Sequence, residues 1–276
     1  MAHSYMVVAN NYRDQLRPHI SDADQSVLND IQFVVFPSYG LNAFALREGG
    51  VRKVGVTLGY IRVAYELSVG YAASMDHGAP QCFEGFIQEI ARGILDNNAR
   101  ANRGEPLVGL PSFGAFFPQH QDSCHAMTAA DINKPDVLRY VSSEMNCIME
   151  YVIGHEIAHH VLGHVGSPVA SAEASRKIEA AADAQSVQWA FDIGVNPLPA
   201  FPVLVLYSMI GVNDLAGEAQ SDHPASSRRY ADFLDAIAAK ERDTDWYAKK
   251  FKKPPTKEML DGIEEMRASA RRIVPN

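Results

Sequence analysis

The chain has few cysteines, and they form neither the even set of a disulfide framework nor a Cys-x-x-Cys motif. Its 276 residues contain three cysteines, Cys82, Cys124 and Cys147. Three cysteines cannot all pair with one another, and none of them belongs to a Cys-x-x-Cys motif. A reducing cytoplasm is therefore the simplest setting for this chain.

Long apolar runs are also absent. A helix that crosses a membrane needs about 20 apolar residues, whereas the longest candidate here, residues 201–212, includes Pro202 and Ser208. The first 30 residues contain no basic segment followed by an apolar core, so we expect no secretory signal. The sequence thus predicts a soluble, cytoplasmic protein with no membrane span.

The chain has no excess of positive charge, because its net charge is −8. That balance disfavours bulk binding to nucleic acid. The one basic cluster, residues 249–253, is interpreted as a solvated helix end or tail. An apolar fraction of 47% with 21% charged residues is typical of a globular protein with ample material for a core.

Among the features that are present, the most informative is a His-Glu-x-x-His sequence that begins at His155. Helix residues four apart lie about 40° apart on one face, so His155 and His159 can point at one metal ion. Glu156 lies on the adjoining strip, where it could take the proton of a zinc-bound water. The alternative is two histidines that face solvent. His160 and His164 point away from that face, so we expect both to be structural.

A second acidic motif, Glu-x-x-Ala-Asp, begins at Glu179, twenty residues beyond the second histidine of the first motif. Ser171 as an N-cap and Gly194 as a stop predict a helix between them. Glu179 and Asp183 share a face of it. Glu179 can be the third zinc ligand, while Asp183 can hydrogen-bond the far nitrogen of a ligand histidine. The alternative is an alanine-rich surface helix with two solvated acids.

Two further segments complete the pattern. Residues 42–45 read Asn-Ala-Phe-Ala, and with residues 51–57 beyond a Gly-Gly turn they predict two strands. His223 is followed by Pro224 and, after four intervening residues, by Arg229. In this order, the four motifs resemble those of the gluzincin peptidases in the CAAX prenyl endopeptidase and heat-shock membrane protease family, soluble bacterial type.

The resemblance implies roles for individual residues. It implies that His155, His159 and Glu179 bind one Zn²⁺ per chain and that Glu156 is the general base. His223 would support the oxyanion. The substrate-binding group would be an edge strand and one arginine: Asn42, Ala43, Phe44, Ala45 and Arg229. The membrane members of that family carry transmembrane helices, for which this sequence has no apolar run of sufficient length.

The apolar periodicity predicts an α+β fold that is mostly helical. The resemblance adds a zincin-like metallopeptidase with a small sheet whose edge strand lines the cleft. We expect one domain over residues 1–276, with an inserted loop at about 96–134 and a C-terminal helical tail at about 240–276.

The predicted loop is rich in Asn, Gly and Pro and shows no period, as lids and disordered segments do. Its phenylalanines favour an aromatic lid over the cleft. A second metal site from His120, Cys124 and His125 is a less favoured alternative, because the spacing matches no common zinc pattern.

The sequence as a whole predicts a zinc metalloendopeptidase. In that hypothesis, a zinc-activated water hydrolyses peptide bonds in extended or unfolded polypeptide, and Glu156 carries the proton to the leaving amine. The alternative is a zinc-folded regulatory or binding module with little turnover. The expected partner is a peptide or unfolded protein rather than nucleic acid, and the oligomeric state stays open.

Overall fold

The computed structural model describes residues 2–166, 170–211 and 226–273. It is mostly helical with one small sheet, which confirms the predicted fold class. The strands are β1 (Ile31–Phe36), β2 (Ala43–Glu48) and β3 (Val51–Thr57). The α-helices of the described residues are α1 (Ala2–Leu16), α2 (Asp22–Asn29), α3 (Leu58–Asp76), α4 (Pro80–Asn102), α5 (Phe113–Phe116), α6 (Ala129–Ile132), α7 (Pro135–Val161), α8 (Ala172–Ile193), α9 (Phe201–Ile210), α10 (Ser226–Arg242), α11 (Thr244–Phe251) and α12 (Lys257–Ile273). Within these ranges, we find no helix that combines the length and the apolar character needed to cross a membrane.

The sheet has the order β1-β3-β2, so β2 lies at an edge. β3 pairs with β1 in parallel and with β2 in the antiparallel sense. Gly49 and Gly50 form the turn of the β2–β3 hairpin, both with positive φ, as the tight turns that suit strand twist require. Val54 and Val56 of β3 are fully buried, and alternation puts them on the inner face of the sheet. The helices pack on that face, so the core lies between the sheet and α7.

Helices α7 and α8 pack closely, and a glycine allows this. A Cβ atom built on Gly154 would lie 2.6 Å from the Tyr12 hydroxyl and 2.7 Å from Oγ of Ser186. Ser186 also donates a hydrogen bond of 2.6 Å to the carbonyl of Tyr151, one turn earlier. Because Gly154 directly precedes His155, this close approach sets the distance between the two helices at the point where both carry site residues.

The segment 96–134 is not the aromatic lid that the sequence predicted. Helix α4 continues to Asn102, and the chain then forms short helices whose rings are buried in the core. The rings of Phe113 and Phe116 lie 5.2 and 5.3 Å from that of Phe86 in α4. Burial against α4 removes these rings from water, which stabilises them more than an exposed lid would. The division into one domain with an insert and a tail stays a prediction.

Cys82 and Cys124 form a disulfide, with their Cα atoms 4.6 Å apart. The bond ties the segment after α5 to the start of α4. It corrects the interpretation of the three cysteines, which therefore no longer argue for a reducing cytoplasm. Because Cys124 is in this disulfide, it has no thiolate to offer to the alternative second metal site. The ring of His120, another residue of that alternative, stacks on Phe116.

Glu144 is a carboxyl group inside the protein, on α7, with 4% of its surface exposed. Burial raises its pKa to about 9, whereas the pKa of a glutamate in an unfolded chain is about 4.3. Between these values the folded chain binds more protons than the unfolded chain, so stability falls as the pH rises.

We therefore expect Glu144→Gln to lose less stability than the native protein between pH 5 and pH 8. The difference should reach a few kcal/mol, at about 1.4 kcal/mol per pH unit. Urea midpoints of both proteins at pH 5 and pH 8 measure this difference. Glu84→Gln is the matched control, because Glu84 is exposed on α4. If the two urea curves shift in parallel with pH, Glu144 is not held protonated.

Candidate active site

Three potential metal ligands meet where α7 and α8 cross. His155 and His159 come from α7, and Glu179 comes from α8. All three offer a ligand atom within 4.8 Å of the others. The two Nε2 atoms of the histidines are 3.1 Å apart, and each lies 3.4 Å from an oxygen of Glu179. The structure therefore brings together the three residues that the sequence predicted as ligands.

This triangle has the size that zinc requires. Tetrahedral zinc binds nitrogen and oxygen at about 2.0–2.1 Å, so neighbouring ligand atoms lie about 3.3 Å apart. The three measured edges, 3.1, 3.4 and 3.4 Å, agree with that spacing. Two histidines, one glutamate and a fourth direction open to a cleft are a donor set found in catalytic zinc sites. The residues present fit the metal.

Behind His155 lies a carboxylate that three groups hold in place. Nδ1 of His155 lies 2.8 Å from Oδ1 of Asp183. Arg229 on α10 donates two hydrogen bonds of 2.7 and 2.8 Å to the two oxygens of Asp183. The Tyr151 hydroxyl donates another of 2.9 Å. Asp183 thus occupies the position that the sequence predicted for it, next to the far nitrogen of a ligand histidine.

These contacts fix the charge of the buried carboxylate. Although burial raises the pKa of Asp183, Arg229 and His155 lower it far below its usual range. In His155, burial lowers the pKa, but the carboxylates of Asp183 and Glu179 raise it to about 10. Because a metal ion binds the neutral imidazole, metal binding would displace that extra proton from His155, and the same carboxylates would then face the cation. Burial lowers the pKa of His159 to about 4, so its imidazole is neutral, as metal binding requires.

Asp183→Asn tests this arrangement, because it removes the charge and leaves Arg229 without its counterion in a largely buried place. We expect stability to fall by about 3–5 kcal/mol, measured by urea denaturation. Zinc affinity should fall about ten- to a hundred-fold, as for other residues that orient a ligand histidine. Asp192→Asn on the same helix is the control, since that carboxylate accepts from Gln188. If the zinc affinity of Asp183→Asn were unchanged, the Asp183 carboxylate would not be what orients His155.

Glu156 points into a cleft of about 170 Å³ next to the triangle. It is buried, which raises its pKa to about 7, the range expected of a group that exchanges protons near neutrality. The cleft is lined by the site residues and by the loop before β2. Its lining residues are Leu41, Asn42, Ala43, Tyr151, Val152, His155, Glu156, Glu179, Tyr207 and Arg229.

The predicted edge strand borders this cleft, but its four residues have different positions. Asn42 and Ala43 line the cleft. Ala45 lies opposite the buried Val54, and therefore on the inner face. Phe44 lies opposite Gly55 on the outer face. Only part of the Asn-Ala-Phe-Ala sequence thus lies against the site residues.

Thr57 at the end of β3 holds Asn42 beside the site. Its hydroxyl accepts from the backbone N–H of Asn42 at 3.2 Å and donates to the carbonyl of Gly40 at 2.5 Å. It also caps α3 by accepting from the N–H of Tyr60. One buried side chain therefore connects the loop, the sheet and a core helix.

His164 has a closer relation to the site than the sequence predicted. Gly163 has a φ of 73° and lets the chain turn back after α7, so that the N–H of His164 donates to the carbonyl of His159 at 2.9 Å. The turn brings Nδ1 of His164 to 3.2 Å from Nδ1 of His159. His164 is therefore no ligand but contacts one from behind. His160 lies elsewhere, with Nε2 3.0 Å from the carbonyl of Lys53, and is structural as predicted.

Sequence reasoning missed two tyrosines and placed a third residue differently. Tyr151 and Tyr207 both line the cleft. Tyr151 lies one helical turn before His155, so helical periodicity could have placed it near the site. Tyr207 comes from α9, and no local pattern in the sequence connects it with the site. Arg229, predicted to bind substrate, donates to Asp183. His223, predicted to support the oxyanion, lies outside the described residues.

Comparison with known proteins agrees with this geometry at a coarse level. Residues 124–249 match the family model Peptidase U49, and the matched range includes α7, α8 and α10. The match supports a peptidase family and does not identify the CAAX prenyl endopeptidase family in particular. No curated protein and no solved structure gives a significant match. The chain is thus similar to a peptidase family over the segment that carries its metal-ligand triangle.

Proposed function

We propose that the protein is a zinc-dependent endopeptidase of the gluzincin type, acting on extended or unfolded polypeptide. The observation that carries this proposal is the triangle of His155, His159 and Glu179, in which the distances between ligand atoms match those of a zinc site. It opens on a cleft that also contains a buried carboxylate outside the triangle, Glu156. A purely structural zinc site would need neither the open side nor that carboxylate.

Zinc in the triangle would supply a Lewis acid and a water of lowered pKa. The chain's own contribution is Glu156, whose buried carboxylate accepts a proton from the attacking water and later delivers it to the leaving amine. Since burial places its pKa near neutrality, Glu156 can exchange that proton in both directions. Asp183 and His164 keep the two imidazoles in fixed orientations meanwhile.

Negative charge that develops on the substrate carbonyl needs donors in the cleft. Among the described residues that line the cleft outside the ligand triangle, Asn42, Tyr151, Tyr207 and Arg229 carry N–H or O–H groups. The Tyr151 hydroxyl and two N–H groups of Arg229 already donate to Asp183. Burial raises the pKa of Tyr207 to about 12, so its hydroxyl keeps its proton and can donate. His223 stays a predicted donor beside them.

The substrate in this proposal adds a strand to the sheet. β2 is an edge strand whose start borders the cleft, and an exposed edge can pair with an extended peptide through backbone hydrogen bonds. Such pairing selects unfolded or flexible segments over folded domains. A cytoplasmic location stays a prediction.

Hydrolysis of unfolded casein separates this proposal from the zinc-folded binding module. The zinc-loaded protein should cut casein into fragments, and a chelator should stop the cleavage until zinc is restored. Intact casein in the presence of zinc-loaded, folded protein would contradict the proposed endopeptidase and favour the binding module. Cleavage that persists after complete metal removal would contradict the role of zinc.

A further inference from the structure

The outer face of the sheet carries an apolar groove beside the cleft. We call it the outer groove; its apolar lining consists of Val34, Phe36, Leu41, Phe44 and Leu46. It has a volume of about 950 Å³. Phe36 is 57% exposed, and Val34, Phe44 and Leu46 are partly exposed. Apolar side chains on an accessible face, next to a site, are typical of a binding surface.

Gly55 determines the shape of this groove. A Cβ atom built on Gly55 would lie 2.5 Å from Cζ of Phe44 and 2.7 Å from Cγ2 of Val34. The absence of a side chain there lets the Phe44 ring lie across β3 and against Val34. The ring therefore leans towards the middle of the sheet, away from the edge of β2 that pairs with no other strand among the described residues.

The outer groove is continuous with the cleft. Leu41 and Asn42 line both cavities, and β2 forms the border between them. In a strand that pairs with β2, successive side chains point to opposite faces of the sheet. Every second side chain would therefore point outwards, beside Phe44 and Leu46, while the others point towards the inner face.

The charges at the groove favour uncharged substrate side chains. Lys53 and Glu48, both on its lining, form an ion pair with each other, and thus neutralise one another beyond Leu46. Arg47, which is also on the lining, lies opposite Arg52, and alternation places it on the other face of the strand from Leu46. The remaining side chains of β2 on the outer face are the apolar pair Phe44 and Leu46.

We propose that the outer groove selects substrates that carry apolar side chains at every second position of the paired segment. This inference rests on the proposed function, because it takes the edge of β2 as the site of substrate pairing. The groove is a specificity surface: it holds side chains of the substrate and takes no part in the chemistry.

Peptide binding to a zinc-loaded Glu156→Gln background tests the inference without turnover. The probes are two fluorescein-labelled twelve-residue peptides with alternating threonine and lysine at the odd positions. One has leucine and the other serine at the even positions. Fluorescence anisotropy gives Kd for each, and we expect the leucine peptide to bind at least about ten-fold more tightly, as expected for partial burial of apolar side chains.

The double variant F44T/L46T should remove most of this preference, and Leu46→Thr alone should remove part of it. Threonine keeps the preference for strand at both positions. Val7→Thr is the matched control, since Val7 is an exposed apolar residue on α1, with 44% exposure, outside the groove lining. It should leave the preference unchanged. Melting curves and zinc content establish that each variant is folded.

Two results would overturn the inference: equal binding of both peptides, or the same leucine preference in folded L46T and F44T/L46T as in the background. A failure of the proposed function is distinguishable. If the protein with Glu156 intact cleaves neither peptide while the groove-dependent preference persists, the groove binds as inferred but the endopeptidase proposal is wrong.

Discussion

Glu156→Gln should bind about one zinc per chain and lose turnover by about a hundred- to ten-thousand-fold, the range for loss of a general acid–base group. Glu156 lies in the cleft beside the ligand triangle rather than in it. Glutamine has nearly the same shape but cannot accept the proton of the attacking water. Zinc content by metal analysis and initial rates on a quenched peptide measure the two effects.

Glu150→Gln is the matched control, because Glu150 lies on the same helix and outside the cleft lining. Its variant should keep both zinc and rate. If Glu156→Gln emerged without zinc, Glu156 would be a ligand, and the assignment of the base would be wrong. If it kept the native rate, another group would activate the water.

Glu179→Ala should lose zinc and the stability that zinc provides. Its carboxylate contributes two of the three edges of the ligand triangle, both 3.4 Å. A ligand at a hundred-fold excess over its Kd stabilises a protein by about 2.7 kcal/mol, which corresponds to a Tm shift of several degrees. In the native protein, a chelator should therefore lower Tm by that amount, whereas in Glu179→Ala it should change nothing.

Glu173→Ala on the same helix is the control, since Glu173 is an exposed residue paired with Lys177. It should keep both the zinc and the effect of the chelator on Tm. Full zinc content in Glu179→Ala would instead point to a different third ligand, and the geometry of the site would have to be assigned anew.

The parts of the fold with strong local signals were predictable. Helix α8 begins and ends where the sequence indicated, because the Ser171 hydroxyl accepts from the N–H of Ala174 and Gly194 adopts a φ of 87°. Capping side chains and left-handed glycines act on neighbouring residues, so the sequence displays them. The ligand triangle was predicted from two motifs, one on α7 and one on α8. That prediction also depends on local structure, since helical periodicity determines which residues share a face.

The features that sequence reasoning missed depend on contacts between distant segments. The Cys82–Cys124 disulfide joins residues 42 positions apart, and no local pattern shows which cysteines meet. The rings after α4 had too few periodic neighbours to reveal that they belong to the core. Likewise, the pairing of Arg229 with Asp183 depends on how α10 packs against α8. The order and spacing of the motifs could be identified from the sequence, but not the partner of each side chain.

The most direct test of the central claim is a zinc titration of the metal-free protein, with hydrolysis of an unfolded polypeptide measured at each addition. If His155, His159 and Glu179 hold a single catalytic zinc, the rate should rise in proportion to added zinc and level off at one zinc per chain. Full activity without zinc, or no hydrolysis at saturating zinc by folded protein, would contradict the account.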